Sequence, residues 1–109
     1  MKSSINIPPD SSLCGTWRCK TDDTSDYPGA QYTVTIEDEI FKVTGVDTLD
    51  GELFIITDLL WNGICLVFHA YMESTGRSSI NQVRYIGSGE VEFTFTFTEQ
   101  ELWTRIKDS

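Results

Sequence analysis

Apolar and polar residues alternate along most of this chain with a period of two, the spacing of a β-strand with one buried face. The clearest case is residues 90–98, where Val91, Phe93, Phe95 and Phe97 share one face and Glu90, Glu92, Thr94, Thr96 and Thr98 the other. Residues 30–36 repeat the pattern, with Tyr32, Val34 and Ile36 against Gln31, Thr33 and Thr35. Residues 40–46 set Phe41 and Val43 against Lys42 and Thr44. Further strands are predicted over 13–20, 52–60, 64–73, 77–86 and 100–106. Turn sequences separate them: Glu37-Asp38-Glu39, Asp50-Gly51, Asn62-Gly63, Ser74-Thr75-Gly76 and Gly87-Ser88-Gly89. Asn-Gly and Asp-Gly favour tight hairpins because both residues tolerate positive φ. Residues 21–29, ending in Tyr27-Pro28-Gly29, read as a longer loop, and residues 1–12 as a polar N-terminal arm ahead of one domain over 13–109. No stretch shows helical period.

Eight strands in successive hairpins predict an all-β fold, a small antiparallel up-and-down meander that closes into a barrel and so removes its edges. An open sandwich is the alternative, although no connection is long enough for a Greek key. Gly15 and Trp17 fall on one face of the first strand, where the glycine leaves room and the indole fills it. The hairpin of residues 53–72 breaks the one-sided rule. Leu53, Ile55 and Leu59 oppose Phe54, Ile56 and Leu60, and Ile64, Leu66, Phe68, Ala70 and Met72 oppose Cys65, Val67 and Tyr71. A barrel strand needs one buried face only, so the second is covered by the N-terminal arm, covered by a partner or left as an exposed patch; a symmetric homodimer through the outer face of this hairpin is the expectation.

Composition adds exclusions. A chain of 109 residues that is 39% hydrophobic can build one packed core. Its net charge of −9 argues against nucleic acid, whose phosphates demand clustered cations. No apolar run approaches the roughly 18 residues of a membrane-spanning helix, so membrane insertion is not expected. The N-terminal residues lack the apolar core of a secretory signal, which makes a cytoplasmic location the expectation. Three cysteines, Cys14, Cys19 and Cys65, suit a reducing compartment; a bridge from Cys65 to either of the others is possible across strands. With one histidine there is no zinc-ligand set, and no metal or cofactor is expected.

Gly15-Thr16-Trp17 resembles the glycine-x-tryptophan of lipocalins and the related calycin barrels, and Arg105 resembles the arginine on their last strand. The resemblance implies a barrel whose end is closed by Gly15, Trp17 and Arg105, the guanidinium packing on the indole face. It also implies non-enzymatic binding of a small hydrophobic ligand. The chain departs from the pattern in having Arg18 where lipocalins often have an aromatic, and in having no residues left for their C-terminal helix.

An eight-stranded barrel is either packed solid or holds one small ligand. Should a cavity exist, Trp17, Tyr32, His69, Tyr71, Arg84, Tyr85 and Phe95 are its candidate lining residues. His69 is a potential base or ligand inside an apolar run, and Arg84 a potential partner for a ligand carboxylate. No paired acid and base, activated nucleophile or phosphate loop is present, so no catalytic residue is assigned. The alternative to ligand binding is a solid-core interaction module working through the 53–72 hairpin; an enzyme of lipocalin-like fold is the third possibility.

Overall fold

The computed structural model describes residues 7–19, 29–99 and 101–107. Among these described residues seven strands follow in chain order: β1 (Gly15–Arg18), β2 (Ala30–Glu37), β3 (Ile40–Asp47), β4 (Ile55–Trp61), β5 (Leu66–Met72), β6 (Arg77–Gly87) and β7 (Glu90–Thr98). They form two antiparallel sheets, β1-β2-β3 and β4-β5-β6-β7. A single bridge, Val46 to Leu53, and the amide of Phe54 donating to the Gly45 carbonyl at 2.9 Å join the sheets at one corner. The expected loop over 21–28 and the arm over 1–6 lie outside the described residues.

The hairpins follow the turn chemistry. Asp38 and Glu39 both take positive φ between β2 and β3, as do Ser88 and Gly89 between β6 and β7. Two successive positive φ values twist a two-residue turn in the same sense as its strands. Asn62 works differently: its Oδ1 accepts from the amides of Ile64 and Cys65, both at 2.8 Å, and so shapes the turn before β5.

Two expectations are corrected. First, residues 101–107 form no strand, and Leu102, Trp103 and Ile106 are exposed, so the described residues do not close a barrel. The Trp103 indole donates to Glu101 Oε1 at 2.9 Å, a contact within the segment itself. Arg105 therefore lies on an irregular, exposed segment rather than on a last strand.

Second, β4 is not a regular strand. Its register against β5 shifts between Thr57 and Leu60, with Asp58 at φ 55°. This bulge reverses the side-chain parity, so Ile56 before it and Leu59 and Trp61 after it all pack on the core. Much of the two-sided apolar character of residues 53–61 is thus one inward face that changes phase. A real outer apolar set remains: Ile55 and its cross-strand partner Tyr71, with Leu60 and Ile80, are exposed.

The core divides the molecule into a packed half and an open half. In the packed half Leu13, Val34, Phe41, Leu66, Phe68 and Val83 are buried together. Leu13 enters from a short 3₁₀ turn, Ser11–Leu13, which touches both β2 and β6. Asp10 starts that turn by accepting from the Ser12 amide at 2.9 Å, and the Trp61 indole holds the approach by donating to the Pro8 carbonyl at 3.0 Å. At least from Ile7 onward, then, the N-terminal arm is docked on the fold.

Gly15 has φ 146°, a backbone that L side chains rarely adopt. A Cβ there would sit 3.7 Å from the Trp17 ring, an ordinary contact. Backbone conformation, more than space, demands this glycine.

Candidate functional site

The open half is a cleft of about 850 Å³ between the two sheets. That is within the few-hundred to roughly 1,000 Å³ range of small-molecule sites. Its walls come from inward positions of successive strands: Trp17 on β1, Tyr32 on β2, Ala70 on β5, Ser79 and Asn81 on β6, and Phe93, Phe95 and Phe97 on β7. Phe54, just ahead of β4, completes the apolar wall. No ladder joins β1 to β7 among the described residues. Phe95 and Phe97 are consequently 52% and 62% exposed although they point the same way as the packed Phe93.

Tyr32 is the centre of the site. Its ring stacks on Phe93 at 5.4 Å between centroids and meets Phe68 edge-on at 5.1 Å and Phe54 at 5.8 Å. Such aromatic pairs each contribute about 0.5–1.5 kcal/mol beyond their buried area. The ring fits because its cross-strand neighbour on β3 is Gly45. A Cβ at that position would lie 2.6 Å from two Tyr32 ring carbons and 3.0 Å from Phe54.

A neutral polar chain runs along the cleft floor. Ser79 Oγ donates to Asn81 Oδ1 at 3.2 Å, and Asn81 Nδ2 donates to the Phe68 carbonyl at 3.3 Å. Ser79 and Asn81 are 8% and 2% exposed, and these bonds are why two polar residues can occupy inward positions of β6.

Burial pushes the Tyr32 phenol up to about 12, the nearby Ser79 hydroxyl only partly opposing it. The folded protein therefore holds this proton to higher pH than the unfolded chain does. The corresponding stability is whole below pH 10 and is lost as pH rises through about 12. Ultraviolet titration should show one phenol ionising late, near pH 12, and the Tyr32→Phe variant should lack that step and lose less stability in this window. A wild-type titration with no late phenol would contradict the burial.

Of the residues expected to line a cavity, Trp17, Tyr32 and Phe95 do so. The Trp17 indole donates to the Leu13 carbonyl at 2.8 Å, which anchors the wall of the cleft to the packed half. His69, Tyr71 and Arg84 do not reach the cleft, and each has an outward position. His69 Nδ1 lies 3.3 Å from Asp58 Oδ2, brought there by the bulge in β4, and both side chains are well exposed. Tyr71 is exposed beside Ile55. Arg84 donates from Nε and Nη2 to Oε1 of its cross-strand partner Glu92, at 3.1 and 2.8 Å. The hydrogen bonds to Glu92, and then its charge, raise the arginine's already high pKa, and as a solvent-exposed pair the two add little to stability. Tyr85 points inward but packs against the core, its hydroxyl accepting from the Gly89 amide at 3.2 Å.

Phe54, Phe93, Gly45, Ser79 and Asn81 belong to the site and were not expected there. Gly45 is in phase with Phe41 and Val43, and Ser79 and Asn81 with Val83, so strand parity carried the signal.

Cys14 and Cys65 are free thiols, which excludes both bridges considered for Cys65. Among the described residues no three His, Cys, Asp or Glu side chains are grouped to hold a metal ion, and no helix is long and apolar enough to cross a membrane. Comparison with family models, curated proteins and solved structures finds no match to this chain.

Proposed function

We propose that this protein binds a small hydrophobic ligand, without catalysing a reaction, in the cleft between its sheets. The observation that carries the reading is the aromatic lining of a cleft of about 850 Å³, with Trp17, Tyr32, Phe54, Phe93, Phe95 and Phe97 facing one space. The lipocalin-like resemblance of Gly15-Thr16-Trp17 supports it. So does the meander itself: β1 and β7 run in the same direction, because every successive pairing is antiparallel. One antiparallel strand, residues 102–106, would pair with both and complete an eight-stranded barrel over the exposed Phe95 and Phe97. Amide exchange within 102–106 as slow as that of β7 supports closure, and rapid exchange there refutes it.

The binding test uses a neutral fluorescent naphthyl ketone. It should bind with one-to-one stoichiometry and quench Trp17 emission. Ala70→Phe, which places a ring in the cleft, should weaken binding about tenfold or more, equivalent to roughly 1.4 kcal/mol. Unchanged affinity in that variant would overturn the proposal.

A second reading rests on a separate observation, the exposed outer set Ile55, Leu60, Tyr71 and Ile80 on β4, β5 and β6. Under it, two copies pair through this face as a homodimer. Sedimentation should then show a dimer that Ile55→Lys dissociates; a monomer at micromolar concentration removes this reading.

A further inference from the structure

We infer that residues 101–107 of one copy of this chain close the cleft of a second copy, whose own segment closes the first in return. The inference rests on the barrel closure proposed above and adds which molecule supplies the closing strand. The binding site of each copy is then complete only in the pair.

Charge sets the direction in which a strand can enter. One end of the cleft, at the last residue of β1 and the first of β6, carries Arg18 and Arg77, with Asp47 at the same end. The other end, at the start of β7, carries Glu90, and the exposed Glu92 follows it. The segment is charged in the matching order, Glu101 first and Arg105 and Lys107 last. Laid antiparallel to β1 and β7, it brings Glu101 to the two arginines and its own cations to the glutamates. Laid parallel, it would set like charges against each other at both ends. Leu102, Thr104 and Ile106 alternate with these charges, so Leu102 and Ile106 turn inward over Phe95 and Phe97 while the charged face stays in water.

The course of the chain favours a second copy as the acceptor. Glu99 faces Arg77, with Oε2 and Nε 3.5 Å apart, one step beyond the Ser78–Thr98 pair of the β6–β7 ladder. At Glu99 the chain is thus still running in the line of β7. To fold back on its own β7 it would have to reverse at Gln100-Glu101, ahead of Leu102. A two-residue reversal takes positive φ, and neither glutamine nor glutamate is among the residues that adopt it readily. The described turns that do so place Asp38 beside Glu39 and Gly89 beside Ser88. Leu102, Trp103 and Ile106 are almost wholly exposed, and the segment forms no ladder with either β1 or β7.

A two-fold axis removes the need for a turn. Where it stands perpendicular to the strands just beyond Glu99, β7 of the second copy runs opposite to β7 of the first. A segment that continues the line of β7 is then antiparallel to both β7 and β1 of the second copy, the orientation the charges require. The exchange is reciprocal, as a two-fold interface must be.

Sedimentation of the full chain at micromolar concentration should show a dimer, with amide exchange in 102–106 as slow as in β7. Two charge-reversed variants test the pairing, Arg105→Glu with Lys107→Glu in one and Glu90→Lys with Glu92→Lys in the other. Each alone sets like charges together and should raise the dimer dissociation constant about tenfold or more. Mixed one to one, the two present matched charges at both closures and should recover the dimer. Gln100→Asn with Glu101→Gly supplies the missing turn and should give a monomer that keeps the slow exchange. A monomeric wild type would overturn the inference at any exchange rate in 102–106. So would a dimer that Ile55→Lys dissociates and the charge reversals leave intact, since that dimer uses the outer face. In either case, binding of the naphthyl ketone would retain the cleft reading, and failure to bind it would remove that reading as well.

Discussion

Leu13→Ala should lower the stability of the fold by about 2–5 kcal/mol, the range for emptying a fully buried leucine site. The side chain is 1% exposed and is the part of the 3₁₀ turn that reaches the core shared by both sheets. Its neighbours cannot collapse easily into the gap. Val34 is fixed in the β2–β3 ladder, Leu66 and Val83 face each other across β5 and β6, and the Leu13 carbonyl is held by the Trp17 indole. Urea unfolding should show the midpoint falling with the slope unchanged, because the surface exposed on unfolding is nearly the same. Leu13→Met, which keeps volume, should cost less than about 1.5 kcal/mol. Equal stability of Leu13→Ala and wild type would mean that the turn does not plug the packed half.

Gly45→Ala should cost about 1–3 kcal/mol through overpacking and should also disturb the cleft. One methyl group at 2.6 Å from the Tyr32 ring cannot be accommodated unless that ring moves. Phe54, Phe68 and Phe93 surround it, so the direction left open is into the cleft. Loss of stability should therefore accompany weaker binding of the naphthyl ketone. Removing the bulk on the other side separates the two effects. In Tyr32→Leu the same Gly45→Ala change should cost far less, a coupling that a double-mutant cycle measures directly. Additive costs would show that Gly45 is needed for some reason other than the ring above it.

Strand parity made most of this architecture legible. The inward faces of β2, β3 and β7 follow from their alternation, and the turns at Asn62-Gly63 and Gly87-Ser88-Gly89 mark where the chain reverses. Parity failed where both faces are apolar. Leu66, Phe68 and Ala70 proved to be inside, which puts His69 and Tyr71 outside, yet nothing in the run Ile64 to Met72 distinguishes its two faces. Chemistry misled in a different way at Arg84. An arginine within a strand suggests an anion partner, and it has one, but the partner is Glu92 on the adjacent strand. Polar residues at inward positions were the missed evidence. Ser79 and Asn81 alternate with Val83, and a buried polar pair on an otherwise apolar face marks a place where something must be satisfied. The final segment illustrates the limit of local pattern. Its alternation reads as a strand, but a strand exists only through its neighbours, and residues 101–107 have no ladder partner among the described residues.

The bulge at Asp58 has a consequence for how this chain tolerates change in length. It works as a one-residue frameshift within β4: the apolar positions before and after it are written in opposite phases, and only the extra residue reconciles them. Deleting a residue there would leave a regular strand that turns either Ile56 or the pair Leu59 and Trp61 toward water. Point substitutions with positive-φ tolerance, such as Asp58→Gly or Asp58→Asn, preserve the phase, whereas a single deletion inverts half the strand. In this strand, residue count is under tighter constraint than residue identity.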